Sequence, residues 1–87
     1  MLSARVDGRK IRLARETADF TVAELITAMK EQGVTRTRES IYNIERGNAQ
    51  PGVKVFNAIV RILGVPREQL LADEHDDTHD DAALSTR

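Results

Sequence analysis

Between Thr37 and Gly47 the chain carries Arg38, Glu39, Tyr42, Asn43 and Arg46 around two apolar residues, Ile41 and Ile44. If this stretch is helical, Ile41 and Ile44 share an inward face and the polar set points outward. Thr37 is then the best N-cap and Gly47 the terminator. Guanidinium, carboxamide, carboxylate and phenol groups all make directional hydrogen bonds. A guanidinium fork matches paired acceptors, and a carboxamide matches an adjacent donor and acceptor. The chemistry on offer is recognition.

Catalysis finds little support elsewhere. Both histidines lie in the acidic run His75-Asp76-Asp77-Thr78-His79-Asp80-Asp81. The spacing of His75 and His79 suits a metal only on a helix, and no helical pattern is present, so this reads as a solvated tail. Cysteine is absent, which excludes disulfides, thiol nucleophiles and thiolate metal sites. There is no Gly-rich phosphate loop and no acid pair in an evident pocket. Neither enzyme activity, metal nor cofactor is expected.

The formal net charge of −1 hides an asymmetry. Residues 73–87 hold six acids and one base, Arg87, whereas residues 1–72 hold twelve Lys/Arg against eight Asp/Glu. The division is a basic body with an acidic tail, and ten of the thirteen bases are Arg, the type suited to phosphate and guanine. No apolar run is long enough to span a membrane, and no signal-peptide pattern follows the N-terminus. A cytoplasmic location is expected.

The elements that position the polar set follow from periodicity and punctuation. Residues 1–6 read as a short arm. Asp7 caps a first helix running to about Thr17 or Ala18, with Ile11, Ala14 and Ala18 on one face. Thr21-Val22-Ala23-Glu24 is a capping box, flanked by Phe20 and Leu25 as a hydrophobic staple. That second helix should run to Lys30–Gln32 with Leu25, Ala28 and Met29 inward, and Gly33 ends it. Val34-Thr35-Arg36 connects to the helix at 37–46, and residues 48–52 form a loop. Phe56, Ile59, Val60 and Leu63 mark a fourth helix stopped by Gly64, and Pro66 opens a short last helix through Leu70 and Leu71. With aromatics at only 3%, aliphatic side chains must form the core. The reading is an all-α, compact five-helix domain over residues 1–72 with a disordered acidic tail over 73–87.

From about Gly8 to Ala72 the chain resembles the Cro/phage-repressor (XRE) helix-turn-helix family. The residues that carry the likeness are Ile11 and Arg15, then Thr21, Glu24 and Leu25. They continue with Thr37, Ile41 and Ile44-Glu45-Arg46-Gly47, then Pro51, Phe56, Ile59, Leu63-Gly64-Val65 and Leu70-Leu71. The resemblance implies a lambda-repressor-like domain in which Arg15 and Glu45 form an internal ion pair fixing the angle of the third helix. Two exposed charges that happened to meet would contribute only ~0–1 kcal/mol. The chain departs from the family at Ile26, where a small Ala is usual, and in a longer connector to the third helix. It departs again at Val22, where a Gln often touches phosphate.

The resemblance further implies a transcriptional regulator, a repressor by preference, that reads the major groove of double-stranded DNA with residues 37–46. Arg38 then suits guanine O6/N7 and Asn43 suits adenine N6/N7. Glu39 either accepts from cytosine N4 or orients Arg38, and Tyr42 meets a thymine methyl or a phosphate. Thr21, Arg36, Thr37, Arg46, Asn48, Gln50 and Lys54 are the candidate phosphate contacts. A homodimer on a palindromic operator is expected, with Val65, Leu70 and Leu71 as the contact, in the cytoplasm and nucleoid of a prokaryote or phage host. The rival reading is an antitoxin or anti-regulator whose acidic tail binds a basic protein partner, DNA binding being secondary. Whichever reading holds, the tail either competes with phosphate for the basic face or contacts a basic partner.

Overall fold

The computed structural model describes residues 5–73. The acidic run, His75 and His79 lie outside the described residues. Among the described residues four α-helices form: α1 (Gly8–Thr17), α2 (Val22–Glu31), α3 (Arg38–Glu45) and α4 (Val53–Leu63). The expected fifth helix is a single 3-10 turn, Arg67–Leu70. Between Pro66 and the extended Leu71 there is no room for i→i+4 bonding, so the tighter turn forms instead. The all-helical fold expected from the sequence is the one observed.

Local chemistry sets the starts. The Asp7 carboxylate accepts from the Arg9 N–H at 2.9 Å, and Thr37 Oγ1 accepts from the Ser40 N–H at 3.1 Å. The Thr21–Glu24 box is complete in both directions, at 2.9 and 3.0 Å. Each contact satisfies an N–H that the first turn leaves without a helical partner.

The first three helices end alike. The Phe20 N–H donates to the Arg15 carbonyl, Val34 to Met29 and Asn48 to Asn43, each across a left-handed residue. In α2 and α3 that residue is glycine; in α1 it is Asp19 at φ 68°, whose short polar side chain tolerates the conformation. This closure explains why Ala18, expected on the buried face, is exposed: the helix stops at Thr17 and the chain turns there. Val22 takes an interior position instead, at 4% exposure. The longer connector after α2 is anchored by Val34, which is buried.

Ile11, Leu25, Met29, Ile41, Val55, Ile59 and Leu70 are the fully enclosed core side chains. Around them α3 packs against both α1 and α2, and α4 packs against α2. Residues 5 and 6 are no free arm. Val6 forms an isolated antiparallel bridge with Leu71, the Asp7 N–H donates to the Leu70 carbonyl at 2.8 Å, and the Ala72 N–H donates to the Arg5 carbonyl at 2.8 Å. Leu70, expected at a dimer contact, is interior at 0% exposure, while Val65 and Leu71 are half-buried against the core. A domain this small needs those apolar side chains for its own stability. Among the described residues no helix is long and apolar enough to cross a membrane.

Candidate nucleic-acid interface

Helix α3 has an inner and an outer side. Ile41, Ile44 and Glu45 are buried, whereas Arg38, Glu39, Tyr42 and Arg46 are exposed and Asn43 is half-buried. Arg38 and Glu39, at the N-terminal end, make no hydrogen bond or ion pair with any described residue, including each other. Toward the C-terminal end, Arg46 lies over the Tyr42 ring at 5.7 Å, and its Nη1 is 3.5 Å from Asn43 Oδ1. The outer face therefore has two uncommitted charged side chains at one end and a loosely linked trio at the other.

The inner side is fastened by an ion pair. Arg15 Nε donates to Glu45 Oε2 at 2.7 Å and Nη2 donates to Oε1 at 3.1 Å, a two-pronged arrangement. Arg15 Nη1 also donates to the Phe20 carbonyl at 2.8 Å. With Arg15 at 8% and Glu45 at 4% exposure, the contact lies inside the fold and not on its surface. The hydrogen bond with Glu45 raises the Arg15 pKa above its ordinary value, and burial opposes that rise. The pair joins the last turn of α1 to the last turn of α3.

Beside it, Gly8 at the start of α1 lies on the carbonyl groups of Ile44 and Glu45. A glycine in the first turn carries no local sign of what lies opposite it, so the role of Gly8 emerges only from the packing of α3. The two contacts, one of close packing and one of charge, hold the end of α3 against α1.

The remaining candidates fall into separate places. Thr21 and Thr37 have their hydroxyl oxygens engaged as caps. Arg36 is exposed and bonds the carbonyl of its neighbour Thr35 at 2.6 Å. Asn48 is exposed in the turn after α3, and Lys54 is exposed in the first turn of α4. That helix begins at Gly52 with no side-chain cap, so its first N–H groups have no side-chain acceptor. Gln50 differs from the rest: its Oε1 accepts from the Val6 N–H at 2.9 Å and its Nε2 donates to the Val6 carbonyl at 3.0 Å. Both ends of this amide are held by the backbone, so it is a structural clasp on residue 6. No signal local to residue 50 could have revealed a partner so distant in sequence.

Comparison with known proteins agrees with this architecture. Residues 8–72 match the family model described as a helix-turn-helix domain. A curated relative from Pyrobaculum aerophilum, named as an HTH-type transcriptional regulatory protein, is 31% identical over 64 residues, or 74% of this chain. The chain spans 24% of that relative's length. No solved structure matches. The match runs from the start of α1 to just beyond the 3-10 turn, and the chain belongs to the helix-turn-helix domain family.

Proposed function

We propose that this chain is a sequence-specific, double-stranded DNA-binding transcriptional regulator that represses by occupying its site, with α3 in the major groove. The observation that carries the reading is the outer face of α3. Arg38 and Glu39 stand exposed, and unpartnered among the described residues, at the end of the helix that enters the groove first in helix-turn-helix docking. Unpaired charged side chains on an otherwise well-satisfied helix have hydrogen-bonding capacity to offer a ligand. The guanidinium fork of Arg38 matches guanine O6 and N7, and Asn43 matches adenine N6 and N7. Glu39 has no ion pair with Arg38, which favours cytosine N4 as its partner over an orienting role. Tyr42 lies where a thymine methyl or a phosphate would meet it.

Backbone phosphates are assigned to Thr21, Arg36, Thr37, Arg46, Asn48 and Lys54, with the open N-terminus of α4 beside Lys54. Gln50 is left out of this set because its amide is engaged by Val6. The similarity to a protein named as a transcriptional regulator supports the regulatory part of the reading. One reading helix covers only a few base pairs, so the protein acts as a homodimer on a palindromic operator. Selection of bound duplexes from a random pool, with the stoichiometry measured, tests this directly. Enrichment of one palindromic motif bound by two chains is expected; an unenriched pool overturns sequence-specific binding.

A further inference from the structure

The stripe Arg9, Arg12, Arg15 runs along one side of α1 at helical spacing. It faces Tyr42, Glu45 and Arg46 of α3 and its exit across an open cleft of about 590 Å³. Arg15 and Glu45 form the floor and neutralise each other through their two-pronged contact. Arg9, Arg12 and Arg46 remain as three guanidinium groups at the rim. Their ties are partial. Arg12 Nε donates to Glu16 Oε2 at 3.1 Å, and Arg9 Nε stands 3.8 Å from Asp7 Oδ1, with its side chain 87% exposed. Arg46 rests over the Tyr42 ring. The terminal nitrogens of Arg9 and Arg12 make no hydrogen bond with the described residues. A cleft with a neutralised floor and a rim of guanidinium forks offers paired donors to a tetrahedral oxyanion.

We infer that this cleft binds phosphodiester groups of the DNA backbone, held by Arg9, Arg12 and Arg46. On the groove reading above, on which this inference rests, the C-terminal end of α3 leaves the groove toward one strand. The cleft flanks that end, so α1 supplies a second line of backbone contact beyond the α2–α3 region. Glu45 does not repel the phosphate because Arg15 covers both of its oxygens. Tyr42 closes the side nearest the bases, so the contact fixes the depth of α3 without reading sequence.

The test is duplex affinity over a salt series, using the selected operator and an unrelated duplex. Arg9→Gln/Arg12→Gln is compared with Lys30→Gln/Arg61→Gln, which removes the same charge from exposed positions toward the C-terminal ends of α2 and α4. The α1 variant should lose roughly tenfold in affinity for both duplexes, and its log–log salt slope should fall by about 2. The ratio between the two duplexes should be unchanged, and Arg9→Lys/Arg12→Lys should recover most of the slope. The Lys30/Arg61 variant should behave as wild type. Wild-type affinity and slope in Arg9→Gln/Arg12→Gln overturn the cleft and leave the α3 reading standing. Equal losses in the two Gln variants also overturn it, since net charge then explains the effect. A wild-type protein that binds no duplex overturns both. Titration with inorganic pyrophosphate separates a free anion from DNA: saturation at the cleft, with duplex affinity indifferent to Arg9 and Arg12, contradicts the phosphodiester assignment.

Discussion

Gly8 and Glu45 meet backbone to backbone where α1 begins and α3 ends. A Cβ on Gly8 would stand 2.7 Å from the Glu45 carbonyl oxygen and closer still to that of Ile44. Helix α3 is thus braced by the absence of a side chain on its neighbour, and nearby by the buried Arg15–Glu45 pair.

Gly8→Ala separates two opposing effects. Helix propensity alone would favour alanine by about 1 kcal/mol. Overpacking against two fixed carbonyls costs about 1–3 kcal/mol or more, so a net loss of stability is expected. Urea unfolding checks it, and a more stable variant would show that the contact yields easily.

Glu45→Ala leaves a guanidinium buried against α3 with its main partner removed. Breaking a buried pair from one side costs on the order of 3 kcal/mol, a large part of a small domain's stability. Replacing both partners, Arg15→Met with Glu45→Leu, should recover much of that loss. Thermal melts of the two variants decide it; unchanged melting and operator affinity in Glu45→Ala would remove the pair from the account. The raised Arg15 pKa places its contribution below the guanidinium's unfolded value and has it fade only above that. Arg15 itself therefore adds no pH dependence across the neutral range.

Gln50→Ala distinguishes a clasp from a phosphate contact. Loss of its two exposed hydrogen bonds to Val6 should cost about 1 kcal/mol and speed hydrogen exchange at the Val6 amide. Duplex affinity should hold. If affinity falls while Val6 stays protected, Gln50 belongs with the phosphate contacts that its loop position first suggested.

The parts of the fold legible in the sequence were those governed by near neighbours. Asp7, Thr21 and Thr37 act as caps because each bonds an N–H two or three residues ahead, within reach of any local reading. The interior positions of Ile11, Leu25, Met29, Ile41 and Ile59 followed from helical spacing. What stayed hidden depended on distant partners. Ala18 fits the periodicity of α1 but falls on the turn that Asp19 makes. Leu70 resembles a surface anchor until the bridge between Val6 and Leu71 closes the fold around it. The stripe of arginines on α1 gains a facing wall only when α3 packs across from it. For the candidate interface, the outward set on α3 was legible from Ile41 and Ile44 alone, whereas the engagement of Gln50 was not.

The central claim is that the outer face of α3 reads base edges, and Arg38→Ala tests it most directly. Arg38 has no partner within the described residues, so its removal should leave melting unchanged. Selection from random duplexes should then return the wild-type motif with one base position relaxed, at a cost of about 1–3 kcal/mol against the operator. Retention of full preference at every position, or an even loss across all duplexes, would contradict the claim.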